Sequence, residues 1–253
     1  MKEQTHLSEI YFAINNVDFL SLVEMTCRSS IPWCSFLSES DEYTYNMSIQ
    51  RKVVVAKRDV LQERNVDALV VLEDPLMHGE ERIAKHVLQS KCQVYKSNRE
   101  KLKKRQHPPG SAAACEYVGN LQYNKIVHIY MPDCKQWKEE DVLNYKTCIS
   151  NALTSIKEAN ISIAMELFVG DTKSKPVIRY YAKALAEAVI EHTTSKESTL
   201  QKIFILNANP VCHGLVMEEF SRFLMSMCNS NAYFEDEVFV NCGGVMKTVE
   251  SQI

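Results

Sequence analysis

From Gln50 onward, short apolar runs alternate with longer segments of helical period, and this alternation constrains the fold more than any other feature. Arg51-Lys52-Val53-Val54-Val55-Ala56-Lys57 is β-branched and reads as a strand. Asp67 to Leu72 carries a continuous apolar run, as a strand buried on both faces requires. Ala112 to Tyr117, Lys125 to Met131, Ile161 to Met165 and Lys202 to Asn207 read as further strands. Between them, Val142, Tyr145, Ile149, Leu153 and Ile156 recur every three or four residues and predict a helix over 141–160. Glu80 to Gln89 and Val211 to Met227 also read as helices. Ser174 can cap another, with Pro176 in its first turn and Ile178, Tyr181, Leu185 and Val189 along one side. Strands alternating with helices predict an α/β fold: a three-layer α/β/α sandwich around a mixed, mostly parallel sheet of about six strands. Asp67–Leu72 and Ile161–Met165 should be central, because neither alternates polar with apolar.

The flanks differ from this core. Residues 1–45 read as an N-terminal extension, helical for part of its length and docked on the main domain at 46–228. Residues 229–253 read as a tail whose strand-like piece, Val238-Phe239-Val240, either adds an edge strand or stays disordered.

Composition excludes several classes. The longest apolar run, Ile161 to Gly170, is interrupted by Glu166 and is half the length of a bilayer span. No apolar signal core follows Met1-Lys2-Glu3-Gln4. Nine cysteines, an odd number without a C-x-x-C pair, predict free thiols rather than a disulfide framework or zinc site. These features lead us to expect a cytoplasmic or nuclear protein with no membrane partner and no metal. Only seven of 253 residues are glycine, against an average near 7%. The glycine-rich signatures of P-loop, Rossmann and kinase folds are missing, as are those of zincins and serine hydrolases.

A net charge of −3 argues against a surface that is basic throughout. One segment departs from it: six of the twelve residues from Lys96 to His107 are Lys or Arg. It reads as a solvated helix face, a nuclear-import segment or a phosphate-backbone contact, with Lys96 to Arg105 exposed and away from any ligand cleft. His78, His128 and His213 lie near loop or strand ends, and His128 reads as a hydrogen-bonded core residue.

The order of motifs resembles a macro domain, the ADP-ribose-binding α/β module. Lys57-Arg58-Asp59-Val60 is similar to the family's Gly-Asp-Ile turn, and Val66-Asp67-Ala68-Leu69-Val70 to its next strand. Glu73-Asp74-Pro75-Leu76-Met77-His78-Gly79 resembles the loop of macro domains fused to poly-ADP-ribose polymerases. Gly110-Ser111-Ala112-Ala113-Ala114, Lys125-Ile126-Val127-His128 and Ser162-Ile163-Ala164-Met165 resemble later strands, with Glu166 in a proline slot. The resemblance spans Ile49 to Met227. It implies a site lined by Asp59, Val60, Glu73, Asp74, Gly79, Gly170, Asp171, Thr172, Lys173, Ser174 and Asn207, with Asp59 accepting the adenine amine. No resident cofactor and no catalytic residue are implied.

The departures weaken that site. The family's loop asparagines, which face the distal ribose, are replaced by Glu73-Asp74, and a single glycine remains in each phosphate loop. Carboxylates at Glu73, Asp74, Glu80, Glu81 and Asp171 would repel a pyrophosphate by about 4 kcal/mol per close pair at an effective dielectric near 20. Arg82, Lys173 or Lys175 would have to compensate. Four functions stay open: an interaction or regulatory module with weak or lost ADP-ribose binding, a genuine reader of ADP-ribose or ADP-ribosylated protein, an ADP-ribosyl hydrolase using Glu73, Asp74 or Glu81, and a methyltransferase-like Rossmann domain. The balance leans away from an enzyme.

Overall fold

The computed structural model describes residues 41–47, 51–64, 66–90, 92–118, 121–131, 139–158, 161–169, 174–195 and 198–229, with the backbone alone at 239–241 and 246–247. Among these residues nine strands form one mixed sheet: β1 Glu42–Asn46, β2 Lys52–Ala56, β3 Ala68–Glu73, β4 Ala112–Glu116, β5 Lys125–Tyr130, β6 Ile161–Met165, β7 Leu200–Leu206, β8 Phe239–Asn241 and β9 Met246–Lys247. Their spatial order is β4-β5-β3-β6-β7-β2-β1-β8-β9. The central run β5-β3-β6-β7-β2 is parallel throughout. Both flanks are antiparallel, β4 on β5 at one side and β1, β8 and β9 at the other. β3 and β6 are interior, as their unbroken apolar runs require, and Ala68 to Val71 are inaccessible to solvent.

Five helices cover the sheet: α1 Arg82–Gln89, α2 Gln93–Lys103, α3 Glu139–Ser155, α4 Lys175–Thr194 and α5 Pro210–Asn229. Right-handed crossovers decide their faces. The chain moves from β5 to β6 to β7 in one direction across the sheet, which puts α3, α4 and α5 on one face. α1 and α2 belong to the connection from β3 to the antiparallel edge strand β4 and cover the other face, where Tyr95 of α2 stacks on His128 of β5. The result is the expected three-layer sandwich.

The sheet has nine strands rather than about six. The unforeseen strand β1 straddles the expected boundary at residue 45 and pairs with β2 from Glu42↔Ala56 to Asn46↔Lys52. Its Tyr45 is buried and stacks on Phe220 of α5, which gives this polar-looking segment an apolar anchor. The tail supplies β8, paired to β1, and β9.

Candidate functional site

Parallel strands expose the ends of their backbone ladders on one side, and the loops leaving those ends enclose a crevice. Asp59 follows β2, Asp74 follows β3, Glu166 follows β6 and Asn207 follows β7. The fold therefore gathers at one end of the sheet residues up to 148 positions apart in sequence (207 − 59).

Asp59 opens a one-turn 3-10 helix, Val60–Gln62, and its Oδ1 accepts the Leu61 N–H at 3.0 Å. The same carboxylate holds Arg82, whose Nη1 lies 3.0 Å from Oδ1 and 2.9 Å from Oδ2. Arg82 Nη2 reaches Glu166 Oε2 at 2.6 Å. One guanidinium, the first residue of α1, thus bridges the loops after β2 and β6. Burial raises the Glu166 carboxyl above its usual range, and the Asp59 and Glu81 charges add to this, while Arg82 pulls it back. Burial alone would lower Arg82, but Glu166 and Asp59 outweigh it and hold the guanidinium more firmly charged.

Asn207 is 4% exposed. Its Oδ1 accepts the Leu167 N–H at 2.9 Å, its backbone N–H bonds Ala56 O at 3.0 Å, and its Nδ2 has no partner among the described residues.

Several residues of the expected site have other work. Glu73 presents no carboxylate to the crevice: its side chain is 1% exposed and receives Arg99 Nε at 3.1 Å and Nη2 at 2.9 Å on Oε1. His128 Nδ1 lies 3.4 Å from the same oxygen, and burial lowers its pKa, so the ring stays neutral. Arg99 corrects the expectation that Lys96 to Arg105 is wholly exposed, because this basic residue is buried. Asp74 builds a turn, accepting Leu76 N–H and His78 N–H at 2.8 Å each and the His78 ring at 3.0 Å. Burial raises its pKa, but these donors outweigh it and leave Asp74 below its usual value. Gly79, at φ +73°, lies where a Cβ would come 2.5 Å from Leu88 Cδ1 and 3.1 Å from Arg99 Nη2. Its glycine serves packing as well as loop shape. Val60 is fully buried. Ser174 is the N-cap residue of α4, but its side chain makes no capping bond. Gly170, Asp171, Thr172 and Lys173 lie outside the described residues.

Sequence reasoning named Arg82 only as a compensating charge and Glu166 only as a departure from a proline slot. The signal for Glu166 was visible as the one carboxylate inside the longest apolar run. Nothing in the sequence paired it with Arg82, 84 residues away.

Cys115 Sγ lies 3.6 Å from His128 Nε2, which completes a Cys–His–Glu line with Glu73. Burial pushes the Cys115 thiol up to about 12, so the thiolate a nucleophile requires is disfavoured. His128 is wedged between the rings of Tyr95 and Tyr130. The line is a packed core element. Cys92, Cys115, Cys148 and Cys212 are free thiols.

No family model matches the chain, and no curated protein matches it. Solved structures do. The Oceanobacillus iheyensis macrodomain with ADP superposes with a TM-score of 0.61 at 15% identity, covering 73% of this chain and 97% of its own. The macro domain of ganglioside induced differentiation associated protein 2 gives 0.53 at 17%, covering 68% and 86%. The Trypanosoma brucei macrodomain gives 0.54 at 10%, covering 74% and 72%. At these identities the likeness establishes the fold, which is that of a macro domain. It does not single out the polymerase-linked subtype.

Proposed function

We propose that this macro-fold chain is a non-catalytic interaction module whose ancestral nucleotide cleft is held by its own Arg82. The observation that carries this reading is the Arg82–Asp59 contact, in which one guanidinium nitrogen, Nη1, is shared between both carboxylate oxygens. Two structural neighbours contain ADP or ADPR, and the resemblance assigns Asp59 to the adenine amine. Here the Asp59 carboxylate already faces a full positive charge. A neutral amine can take that place only if Arg82 leaves, abandoning Glu166 as well. Side-chain exposures of 27% for Asp59 and 50% for Arg82 mean that water screens the pair. The penalty is therefore about 1 kcal/mol rather than several, or about five- to tenfold in affinity. The missing loop asparagines remove further contacts, and Glu73 and Asp74, the nearest candidate acids, are fully engaged.

One observation favours a second reading, a genuine ADP-ribose reader. The buried Asn207 Nδ2, without a partner among the described residues, is a donor suited to a ligand.

Calorimetric titration with ADP-ribose at low salt separates the two. The module reading expects dissociation constants above about 100 μM for the wild type. It expects Arg82→Ala to bind more tightly and Asp59→Ala to bind no better than wild type. Micromolar binding by the wild type that Asp59→Ala abolishes would establish the reader. Release of ADP-ribose from a mono-ADP-ribosylated protein would sink the non-catalytic assignment.

A further inference from the structure

Among the described residues, β4 closes one end of the sheet and pairs only with β5. Tyr117 N–H bonds Asn124 O at 2.8 Å and Tyr130 N–H bonds Ser111 O at 3.1 Å, which places residues 111, 113, 115 and 117 in the hydrogen-bonded pairs of the antiparallel ladder. The N–H and C=O groups of Ala112, Ala114 and Glu116 therefore face outward, and among the described residues they have no backbone partner. Three common protections of an edge are missing from the strand itself: β4 reads Ala-Ala-Ala-Cys-Glu, without proline or lysine, and its pairing with β5 contains no register shift. Its one charge, Glu116, pairs with Lys125 at 3.2 Å, a lysine that Glu158 also contacts.

α2 runs antiparallel along this strand. Its Cys92 Sγ contacts Val118 O, and its Leu102 packs over Ala113 and Cys115. Arg99 leans from the helix toward Glu73 on β3, away from the edge. At about 100° per residue, Arg99 lies about 60° to one side of Leu102, while Val94 and Lys101 lie about 80–100° to the other, the side turned from Glu73. Arg105 follows the helix end, its N–H bonded to Leu102 O at 2.8 Å. Val94 is 46% exposed, Lys101 and Arg105 are exposed, and neither cation has a salt-bridge partner among the described residues.

We propose that the open edge of β4, with the exposed cations Lys101 and Arg105 at the C-terminal end of the neighbouring α2, takes an acidic extended segment of a partner protein as an added strand. The chemistry selects this occupant. A second copy paired edge to edge would bring two Lys101–Arg105 stripes together. Nucleic-acid phosphates would match those charges but offer no donors to the outward carbonyls, whereas a peptide strand satisfies both sets. The inference does not depend on the state of the Arg82 cleft, which opens after β2, five strands away.

The test uses a fluorescein-labelled octapeptide of alternating glutamate and valine, titrated into the full chain by anisotropy at low salt. Saturable binding is expected, weakened about tenfold or more by the double change Lys101→Glu and Arg105→Glu. The same peptide N-methylated at every residue keeps its charge but loses its amide donors, and it should not bind. Hydrogen exchange of the Ala112, Ala114 and Glu116 amides should be fast in the free protein and slowed by the peptide, and saturating ADP-ribose should leave the titration unchanged. Equal binding of the N-methylated peptide would overturn the proposal, as would amides already protected in the free chain. Concentration-dependent dimerisation that protects these amides would instead give the edge to a second copy and equally refute an acidic partner.

Discussion

Gly79 shows how one residue can carry loop shape and packing together. Its φ of +73° costs a side-chain-bearing residue about 1–2 kcal/mol, and the contact with Leu88 adds to that. Gly79→Ala should therefore lower the urea midpoint at an unchanged slope, by an amount equivalent to at least about 1–2 kcal/mol. Arg99 presents the converse case, a charge buried because another charge awaits it. Removing it by Arg99→Met strands the Glu73 carboxylate and should cost about 3–5 kcal/mol. The double variant Glu73→Gln, Arg99→Met should recover part of that loss, since no uncompensated ion remains. A double variant no more stable than the single one would mean that Glu73 is not strained when alone. The sequence suggested that the basic run around Arg99 faces solvent and that the acidic pair Glu73-Asp74 faces the ligand crevice, because both segments are polar when read along the chain. Only the helical register, Tyr95, Arg99 and Leu102 on one buried face, shows Arg99 turned inward.

At the scale of elements, the C-terminus of α4 is held by a residue from the far side of the sequence. Arg51 donates from Nη1 to Thr193 O at 2.8 Å and Ser195 O at 2.7 Å, and from Nη2 to Ser198 O at 3.0 Å. A cation at this end satisfies orphan carbonyls and meets the negative pole of the helix. Arg51→Met should destabilise the protein by about 2 kcal/mol and speed amide exchange in the last turn of α4 before it affects β3. The long helices and apolar strands were legible because period and hydrophobicity are local properties. β6 lies at the residues its sequence indicates, β5 ends one residue earlier than expected, and β7 starts two residues and ends one residue earlier. β1 was not legible: Glu-Tyr-Thr-Tyr-Asn carries no continuous apolar run and becomes a strand through pairing with β2 and β8.

For the whole molecule, buried titratable groups set the response to pH. Burial, with Arg51 adding to it, lowers His192 from 6.5 to about 4. Because the fold favours the neutral ring, the stability tied to His192 is present above pH 6.5 and is lost as pH falls toward about 4. His192→Gln should flatten the acid side of the stability curve across that window. Glu166 and Glu219 behave oppositely. Burial raises both, so their contribution is present below the ordinary value of 4.5 and is lost as pH rises through the raised value. The stability difference between Glu166→Gln and wild type should therefore shift in favour of the variant from pH 4 to pH 8 in thermal melts.

The sequence by itself determined the layer architecture, the interior position of β3 and β6, and the order of motifs that resembles a macro domain. Each is written in local period and apolar content, which burial enforces wherever the chain goes. Tertiary structure alone decided the partners of the charges. Asp59 met Arg82 rather than standing open, Glu73 met Arg99 rather than the crevice, and Asp74 closed its own turn. A carboxylate looks the same in sequence whether it repels a phosphate or neutralises a guanidinium. Coulomb interactions act between groups that the fold brings together from 23 or 84 residues away, and no local pattern records those distances.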